Sequence, residues 1–377
     1  MHGLRTKTKL VLSWLRAEPV LCIAWLLAGL SMLAVPPDRG YASYIDLHTL
    51  GLLFALMAVM AGLKGMGVFQ RVAEALLRRT RSSRQLEAVL IFLPFFASMA
   101  VTNDVALITF VPFALEALAM AGMRKRVIPV VTMQTIAANL GSMTTPVGNP
   151  QNLFLYSWFD LSLGDFFSAV GLLALLSFLL LGAFLLLHRP EPVCFSVPAA
   201  EPAPLRRGLL LLLLTLFGLC LGVVAKLLPL SLVCVLTLVT LLLWDRGALR
   251  GVDYCLLLTF VGFFLFVGNL GRIPALAELF RRVLTGNEVL CAVLASQVIS
   301  NVPAALLLAG FTENSRALLI GVNLGGLGTL IASMASLISY KALARSFPEE
   351  KGRYLLYFTA ANLLFLALLL AAWALLL

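Results

Sequence analysis

The chain has 377 residues, of which 61% are hydrophobic and 12% charged, with a mean hydropathy of +1.00 and a formal net charge of +10. Soluble domains are about 45–50% apolar and about 25% charged, so the composition excludes a soluble protein and predicts an all-α polytopic membrane protein. The positive charge predicts basic cytoplasmic loops rather than a nucleic-acid partner. The sequence contains no CxxC, HExxH or GxSxG motif, so we expect neither an enzyme nor a bound cofactor, with Na⁺ the one metal ion considered.

Apolar segments in chain order predict the membrane-spanning helices. We place spans at 19–35, 46–63, 127–158, 166–187, 208–225, 229–243, 254–271, 315–340 and 354–376. Two further apolar segments, 86–120 and 287–311, each have a polar tip between two apolar arms, and we interpret both as re-entrant hairpins. The spans 127–158 and 315–340 contain Gly, Thr and Asn in their middle, so each is predicted to be a discontinuous helix.

The same order of elements occurs twice, which divides the chain into two repeats. Residues 19–187 and 229–377 each contain two spans, a hairpin, a broken span and a final span. A cytoplasmic Pro-rich linker at 188–207 and a connecting helix at 208–228 join them, and residues 1–18 form a cytoplasmic amino terminus. Because the second repeat begins on the opposite side of the membrane, the two repeats are predicted to be inverted in topology.

The charges of the loops predict the orientation. With both hairpins re-entrant, 22 of the 28 Lys and Arg residues fall on the cytoplasmic side, as the positive-inside rule requires. Basic residues flank the first hairpin on both sides, so it enters from the cytoplasm, and the second enters from outside. The sequence therefore predicts a multi-pass protein of the cell membrane, embedded in lipid, with a cytoplasmic amino end and an external carboxyl end.

The hairpin tips contain the residues with the clearest chemistry. Thr102, Asn103 and Asp104 form the first tip, and Ser300 and Asn301 form the second. A helix that starts at such a turn points free N–H groups and a positive dipole end at the cavity, which suits a carboxylate or oxyanion. In the alternative interpretation these polar residues only cap buried helices. Their occurrence at matching positions in both repeats favours the binding site.

Asp104 has no acidic counterpart, because Val302 occupies the matching position in the second tip. A carboxylate at the centre of a bilayer costs about 2.5–3.5 kcal/mol on insertion scales, so its presence points to function. Na⁺ binding, proton transfer and repulsion of a second substrate charge are the roles open to it. A structural role as the partner of a buried amide or lysine is the alternative.

The broken spans complete the predicted site. Gly and Pro residues interrupt 139–152, and Gly residues interrupt 323–329, which frees backbone carbonyls beside polar side chains. The candidate substrate-binding residues are Thr102, Asn103, Asp104, Thr144, Thr145, Asn149, Asn152, Ser300, Asn301, Thr329 and Ser333.

With these tips and the stretch NLGSMTTPVGNPQN (139–152), the chain resembles the ion transporter superfamily over about residues 19–377. That superfamily groups arsenite-efflux permeases, NhaD-type sodium/proton antiporters, citrate transporters and divalent anion/sodium symporters. The resemblance implies a homodimer in which a mobile domain carries both hairpins and moves by an elevator-type mechanism. It also implies ion binding at Asn103, Asn139, Gly141, Asn301, Asn323 and Gly325. The carboxylate of Asp104 completes the candidate set for ion binding or coupling.

We therefore expect a secondary active transporter for a small anion, such as a di- or tricarboxylate, sulfate or a similar oxyanion, coupled to Na⁺ or H⁺. The alternative is a Na⁺/H⁺ or arsenite/H⁺ antiporter in which Asp104 is the exchanging carboxylate. The Asn-Asp pair of the first tip resembles the arsenite and NhaD-type branches. A more distant alternative is an anion channel.

Overall fold

The computed structural model describes residues 18–187, 189–192 and 206–376. Over these ranges the regular secondary structure is helical, apart from one isolated β-bridge between Ser82 and Pro192. The all-α architecture predicted from composition is therefore confirmed. The predicted amino-terminal segment, apart from its last residue, and 193–205 of the predicted Pro-rich linker lie outside the described residues.

The α-helices follow one another in the same order in the two halves. The first half contains α1 (Pro19–Ala34), α2 (Tyr41–Tyr44), α3 (Leu47–Gly65), α4 (Val68–Leu77), α5 (Ser83–Ala97), α6 (Asn103–Met120), α7 (Val127–Ser142), α8 (Pro150–Trp158) and α9 (Leu163–Leu186). The connecting helix is α10 (Arg207–Val224). The second half contains α11 (Leu230–Trp244), α12 (Arg246–Arg250), α13 (Tyr254–Gly271), α14 (Pro274–Leu284), α15 (Glu288–Ile299), α16 (Asn301–Ala309), α17 (Ser315–Leu324), α18 (Met334–Ser346) and α19 (Lys351–Leu376).

Carboxylate caps fix the start of the second long helix in each half. Asp46 accepts a hydrogen bond from the backbone N–H of Thr49 at 3.0 Å, and Asp253 accepts one from Leu256 at 2.9 Å. Each cap satisfies a donor that the first helical turn leaves free and places a negative charge at the positive end of the helix dipole. Helices α3 and α13 therefore begin in the same way.

Six helices in the described chain are long and apolar enough to cross a membrane, namely α3, α6, α9, α10, α13 and α19. Helices α14 and α15, bent by 111° at their junction, would make a seventh span if counted together. These helices support the predicted multi-pass membrane protein. The predicted spans at α1 and α11 are shorter apolar helices, and the two discontinuous spans consist of halves that are too short to cross alone.

Two amphipathic helices occupy segments that the sequence analysis treated as loops. Helix α4 and helix α14 each lie immediately before a predicted hairpin, and each buries only two residues. Apolar side chains remain exposed on both, for example Val72 and Leu279. A short helix with one apolar and one charged face suits the membrane–water interface, so both helices are expected to lie along the surface of the bilayer.

The packing of the helices brings the two halves together. Helix α1 packs against α13, and α3 packs against α11. The arms of the first predicted hairpin, α5 and α6, pack against α7, and the arms of the second, α15 and α16, pack against α17. In addition α6 contacts α18 and α16 contacts α8. Each hairpin therefore contacts the broken helix of both halves, which places the two tips near one another.

Candidate substrate and ion site

The first tip lies between α5 and α6 and is held by a buried amide. The Nδ2 of Asn103 donates to the Oδ1 of Asn139 at 2.8 Å, and the Oδ1 of Asn103 accepts the backbone N–H of Asp104 at 2.9 Å. The Nδ2 and the Oδ1 of Asn103 therefore each make a hydrogen bond within the protein. The hydrogen bonds orient the tip against the carboxyl end of α7.

The second tip turns within a single residue. Ser300 separates α15 from α16 and adopts a positive φ of 73°, which is uncommon for a residue with a side chain. The next residue, Asn301, donates its backbone N–H to the carbonyl of Ala332 at 3.0 Å. The second tip is thus anchored to the break between α17 and α18.

The side chains of the tips cap the following helices only in part, through the bond from the Asp104 N–H to Asn103. Thr102 and Ser300 are the N-cap residues of α6 and α16, and neither side chain makes a capping hydrogen bond. The N–H of Asp104 is bonded to the Asn103 amide, that of Asn301 is bonded to the Ala332 carbonyl, and Pro303 has no N–H. Only the other N–H groups of the first turns remain for water or a ligand, with the positive dipole end behind them.

The break between α7 and α8 is closed by asparagine side chains. The Nδ2 of Asn152 donates to the carbonyls of Ser142 and Thr145, at 3.2 and 3.3 Å, and so satisfies two groups freed by the interruption. Asn149 donates to the hydroxyl of Ser142 at 2.5 Å. Gly148 permits the close turn, because a Cβ there would lie 2.2 Å from the carbonyl oxygen of Ser142.

The break between α17 and α18 is closed by Gln297, which the sequence analysis did not single out. Its Nε2 donates to the carbonyls of Gly325 and Leu327, at 3.0 and 2.9 Å, and its Oε1 accepts the backbone N–H of Thr329 at 2.9 Å. Gly328 has a φ of +112°, and a Cβ there would lie 2.3 Å from the Oε1 of Gln297. One side chain of α15 thus holds three backbone groups of the interruption.

The two breaks are also bonded to each other. The Oδ1 of Asn139, which accepts from the first tip, also accepts the hydroxyl of Ser333 at 3.0 Å, and its Nδ2 donates to the carbonyl of Gly326 at 3.4 Å. Asn323 donates to the Oδ1 of Asn152 at 2.7 Å. Polar residues of both halves therefore form one buried network behind the tips.

The two tips meet at a small cavity of about 60 Å³. Five of the predicted substrate-binding residues line it: Asn103, Asp104, Ser300, Asn301 and Ser333. Other polar residues that line it are Glu18, Gln151, Asp253 and Thr259. The structure therefore brings one polar set from both tips and both broken helices to a single place.

A larger cavity of about 560 Å³ lies on the other side of Asp104. Thr102 and Asn149 of the predicted site line it, together with Lys64 and many apolar side chains of α3. Asp104 and Asp253 line both cavities. These two carboxylates therefore lie where the small cavity adjoins the larger one.

The small cavity is acidic. Glu18, Asp104 and Asp253 line it, and its described lining contains no Lys, Arg or His. The Oδ1 of Asp104 is buried without a hydrogen-bond partner. The alternative in which Asp104 serves as the partner of a buried amide or lysine therefore finds no support at this atom.

None of the four predicted threonines lines the small cavity, and Thr102 lines only the larger one. Thr145 donates its hydroxyl to the carbonyl of Met99, just before the first tip, and Thr329 is exposed and donates to the carbonyl of Gln297 at 3.4 Å. The hydroxyl of Thr144 is buried without a partner and lines neither cavity.

Two of the glycines assigned to ion binding stand where helices approach closely. A Cβ at Gly141 would lie 2.1 Å from the carbonyl oxygen of Phe95, and one at Gly325 would lie 2.5 Å from the hydroxyl of Ser296. Each glycine therefore lets a hairpin arm pack directly on the backbone of a broken helix. Their assignment to ion binding stays a prediction.

Comparison with known proteins gives consistent matches over most of the chain. A family model described as a citrate transporter matches residues 10–316. An uncharacterized transporter of Methanocaldococcus jannaschii is 31% identical over 312 residues, covering 79% of this chain and 81% of that protein. An inner membrane protein of Escherichia coli is 31% identical over 324 residues, covering 83% and 84%. A silicon efflux transporter of Oryza sativa is 37% identical over 121 residues, covering 32% of this chain and 24% of that protein.

Proposed function

This chain belongs to the citrate transporter family, as a membrane transporter rather than an enzyme, and from that premise we propose a secondary active transporter for a small anion or oxyanion. The observation that carries the proposal is the meeting of both tips at one cavity of about 60 Å³. The uncapped ends of α6 and α16 supply N–H groups and dipoles, and neutral side chains supply further hydrogen bonds.

An elevator-type movement of inverted repeats is supported by how the helices group. Helices α1, α3 and α10–α13 pack among themselves, and α5–α9 pack with α15–α19. The two groups meet where α13 contacts α16 and α3 contacts α8. The second group contains both tips and both broken helices, so a movement of this group against the first would carry the cavity with it. Asp253 belongs to the first group and faces Asp104 across the boundary.

Coupling to Na⁺ or H⁺ is assigned to Asp104. Its Oδ1 is buried without a partner, and an unpaired carboxylate oxygen in a low-dielectric site attracts a cation or a proton. A bound Na⁺ or a proton would neutralise the Asp104 carboxylate before the helices that carry it move across the membrane. A homodimer is expected from the resemblance to the superfamily.

The second candidate is an antiporter that exchanges Na⁺ or arsenite for H⁺. The acidic lining of the small cavity favours it, because three carboxylates and no basic side chain repel a free dianion. An uncharged hydroxylated molecule or a cation does not meet this repulsion.

Uptake into proteoliposomes tests the proposal. Citrate, succinate, sulfate and arsenite are each supplied with and without gradients of Na⁺ and pH, for the wild-type protein and for Asp104→Asn. The proposal expects gradient-dependent uptake of an anion that persists in Asp104→Asn with altered cation dependence. Exchange that disappears in Asp104→Asn would favour the antiporter, and the absence of any gradient-dependent flux would overturn both.

A further inference from the structure

Gln151 has a buried primary amide whose nitrogen makes no hydrogen bond within the protein. It stands at the second residue of α8, between Pro150 and Asn152, with 1% of its surface exposed. Its Nε2 has no hydrogen-bond partner, and the residue lines the small cavity between the tips. A buried amide without a partner loses its hydrogen bonds to water and gains nothing in exchange. Water or a ligand in the cavity is the partner that remains.

Most of the neighbouring polar groups are already occupied. Both atoms of the Asn103 amide group are hydrogen-bonded, and the hydroxyl of Ser333 donates to Asn139. The Oδ1 of Asp104 is buried without a partner. Gln151 therefore offers a free donor and Asp104 offers a free acceptor in the same cavity.

A donor and an acceptor together match a hydroxyl group, which both gives and receives a hydrogen bond. A fully ionised carboxylate or sulfate accepts only, and it would place its charge beside the carboxylates of Glu18, Asp104 and Asp253. The volume of about 60 Å³ is also less than half of the roughly 150 Å³ of an engineered cavity that holds benzene. The site thus suits a compact molecule in a protonated state.

We propose that Gln151 is a specificity-determining residue that, together with Asp104, selects a compact oxyacid in its protonated, hydroxyl-bearing form. This inference rests on the proposed transport function and narrows its substrate class. The Gln151 amide donates to an oxygen of the acid, and a hydroxyl of the acid donates to the Asp104 carboxylate. The carboxylates of a fully ionised di- or trianion can accept from the Gln151 amide, but they have no proton to donate to Asp104 and are repelled by its charge.

The test exchanges the amide for an apolar side chain of similar length. In Gln151→Met the unsatisfied amide disappears, so the ligand-free melting temperature stays equal or rises. The matched control is Gln297→Met, whose amide holds the break between α17 and α18, so its melting temperature falls. If Gln151 had only a structural role, Gln151→Met would lower the melting temperature whenever it impaired transport. Impaired transport at an unchanged melting temperature therefore indicates a role in binding.

Transport and binding are then measured with boric acid, arsenous acid, succinate, citrate and sulfate as probes. The inference expects gradient-dependent flux for boric or arsenous acid and, in Gln151→Met, an about tenfold higher KM with the dependence on Na⁺ and pH retained. Gradient-dependent flux with the same KM in Gln151→Met, or confined to the dianions, would overturn the inference while the proposed function stands. No flux of any probe would overturn both.

Discussion

Asn103 and Asn139 are joined by a hydrogen bond of 2.8 Å that connects the first hairpin tip to the end of the first broken helix. The same Oδ1 of Asn139 accepts the hydroxyl of Ser333 from the second half. One buried side chain thus links three elements of the site. The position of the tip depends on this amide.

Replacement of Asn139 by Ala should therefore destabilise the protein. The substitution leaves the amide of Asn103 and the hydroxyl of Ser333 without their acceptor, at a cost of about 1–3 kcal/mol for each buried group. The melting temperature in detergent should fall clearly. In the comparison variant, Ser333→Ala, the bond from Asn103 to Asn139 remains, so the fall should be smaller. An Asn139→Ala protein as stable as the wild type would contradict this part of the account.

Gly141 and Gly182 give a matched pair of glycine substitutions. A Cβ at Gly141 meets the carbonyl oxygen of Phe95 at 2.1 Å, whereas a Cβ at Gly182 in α9 meets nothing within 4 Å. Gly141→Ala should cost about 1–3 kcal/mol, because a hairpin arm must move away. Gly182→Ala should be neutral or stabilising by up to about 1 kcal/mol, because alanine favours the helix. The melting temperatures of the two variants are compared by thermal unfolding. Equal melting temperatures would contradict the close contact of Gly141 with the backbone of Phe95.

The ion pair between Asp160 and Lys226 should make a contribution that depends on pH. Asp160 follows α8 and Lys226 follows α10, and the hydrogen bond and charge of the lysine hold the pKa of Asp160 below 3.8. Because the folded pKa is depressed, the stabilisation is present above pH 3.8 and is lost as the pH falls through the lower folded value.

Thermal unfolding of the wild type and of Asp160→Asn at neutral pH and at about pH 3 checks this. The variant should be slightly less stable at neutral pH, since an exposed pair contributes little. The difference should shrink on acidification. A difference that grows as the pH falls would rule out the pair as its source.

The order of the helices and the position of both tips could be predicted from the sequence, because polar residues inside long apolar segments stand out. Helices α4 and α14 were missed, although their apolar residues recur with helical spacing, because their charged residues were taken for loops. The contributions of Gln151 and Gln297 could not be predicted. The amide of Gln297 is bonded to backbone groups about 30 residues away in sequence. The amide of Gln151 lies in a cavity that residues of the opposite half of the chain also line. Neither environment is visible in the local sequence.

The central claim is that residues of both tips bind one substrate. Asn103 of the first tip and Asn301 of the second line the same cavity, so Asn103→Ala and Asn301→Ala are compared by the increase in melting temperature that a transported substrate produces. The account predicts that each variant, folded without ligand, loses most of the stabilisation by the same substrate. A variant of either tip that is stabilised as strongly as the wild type would contradict a shared site.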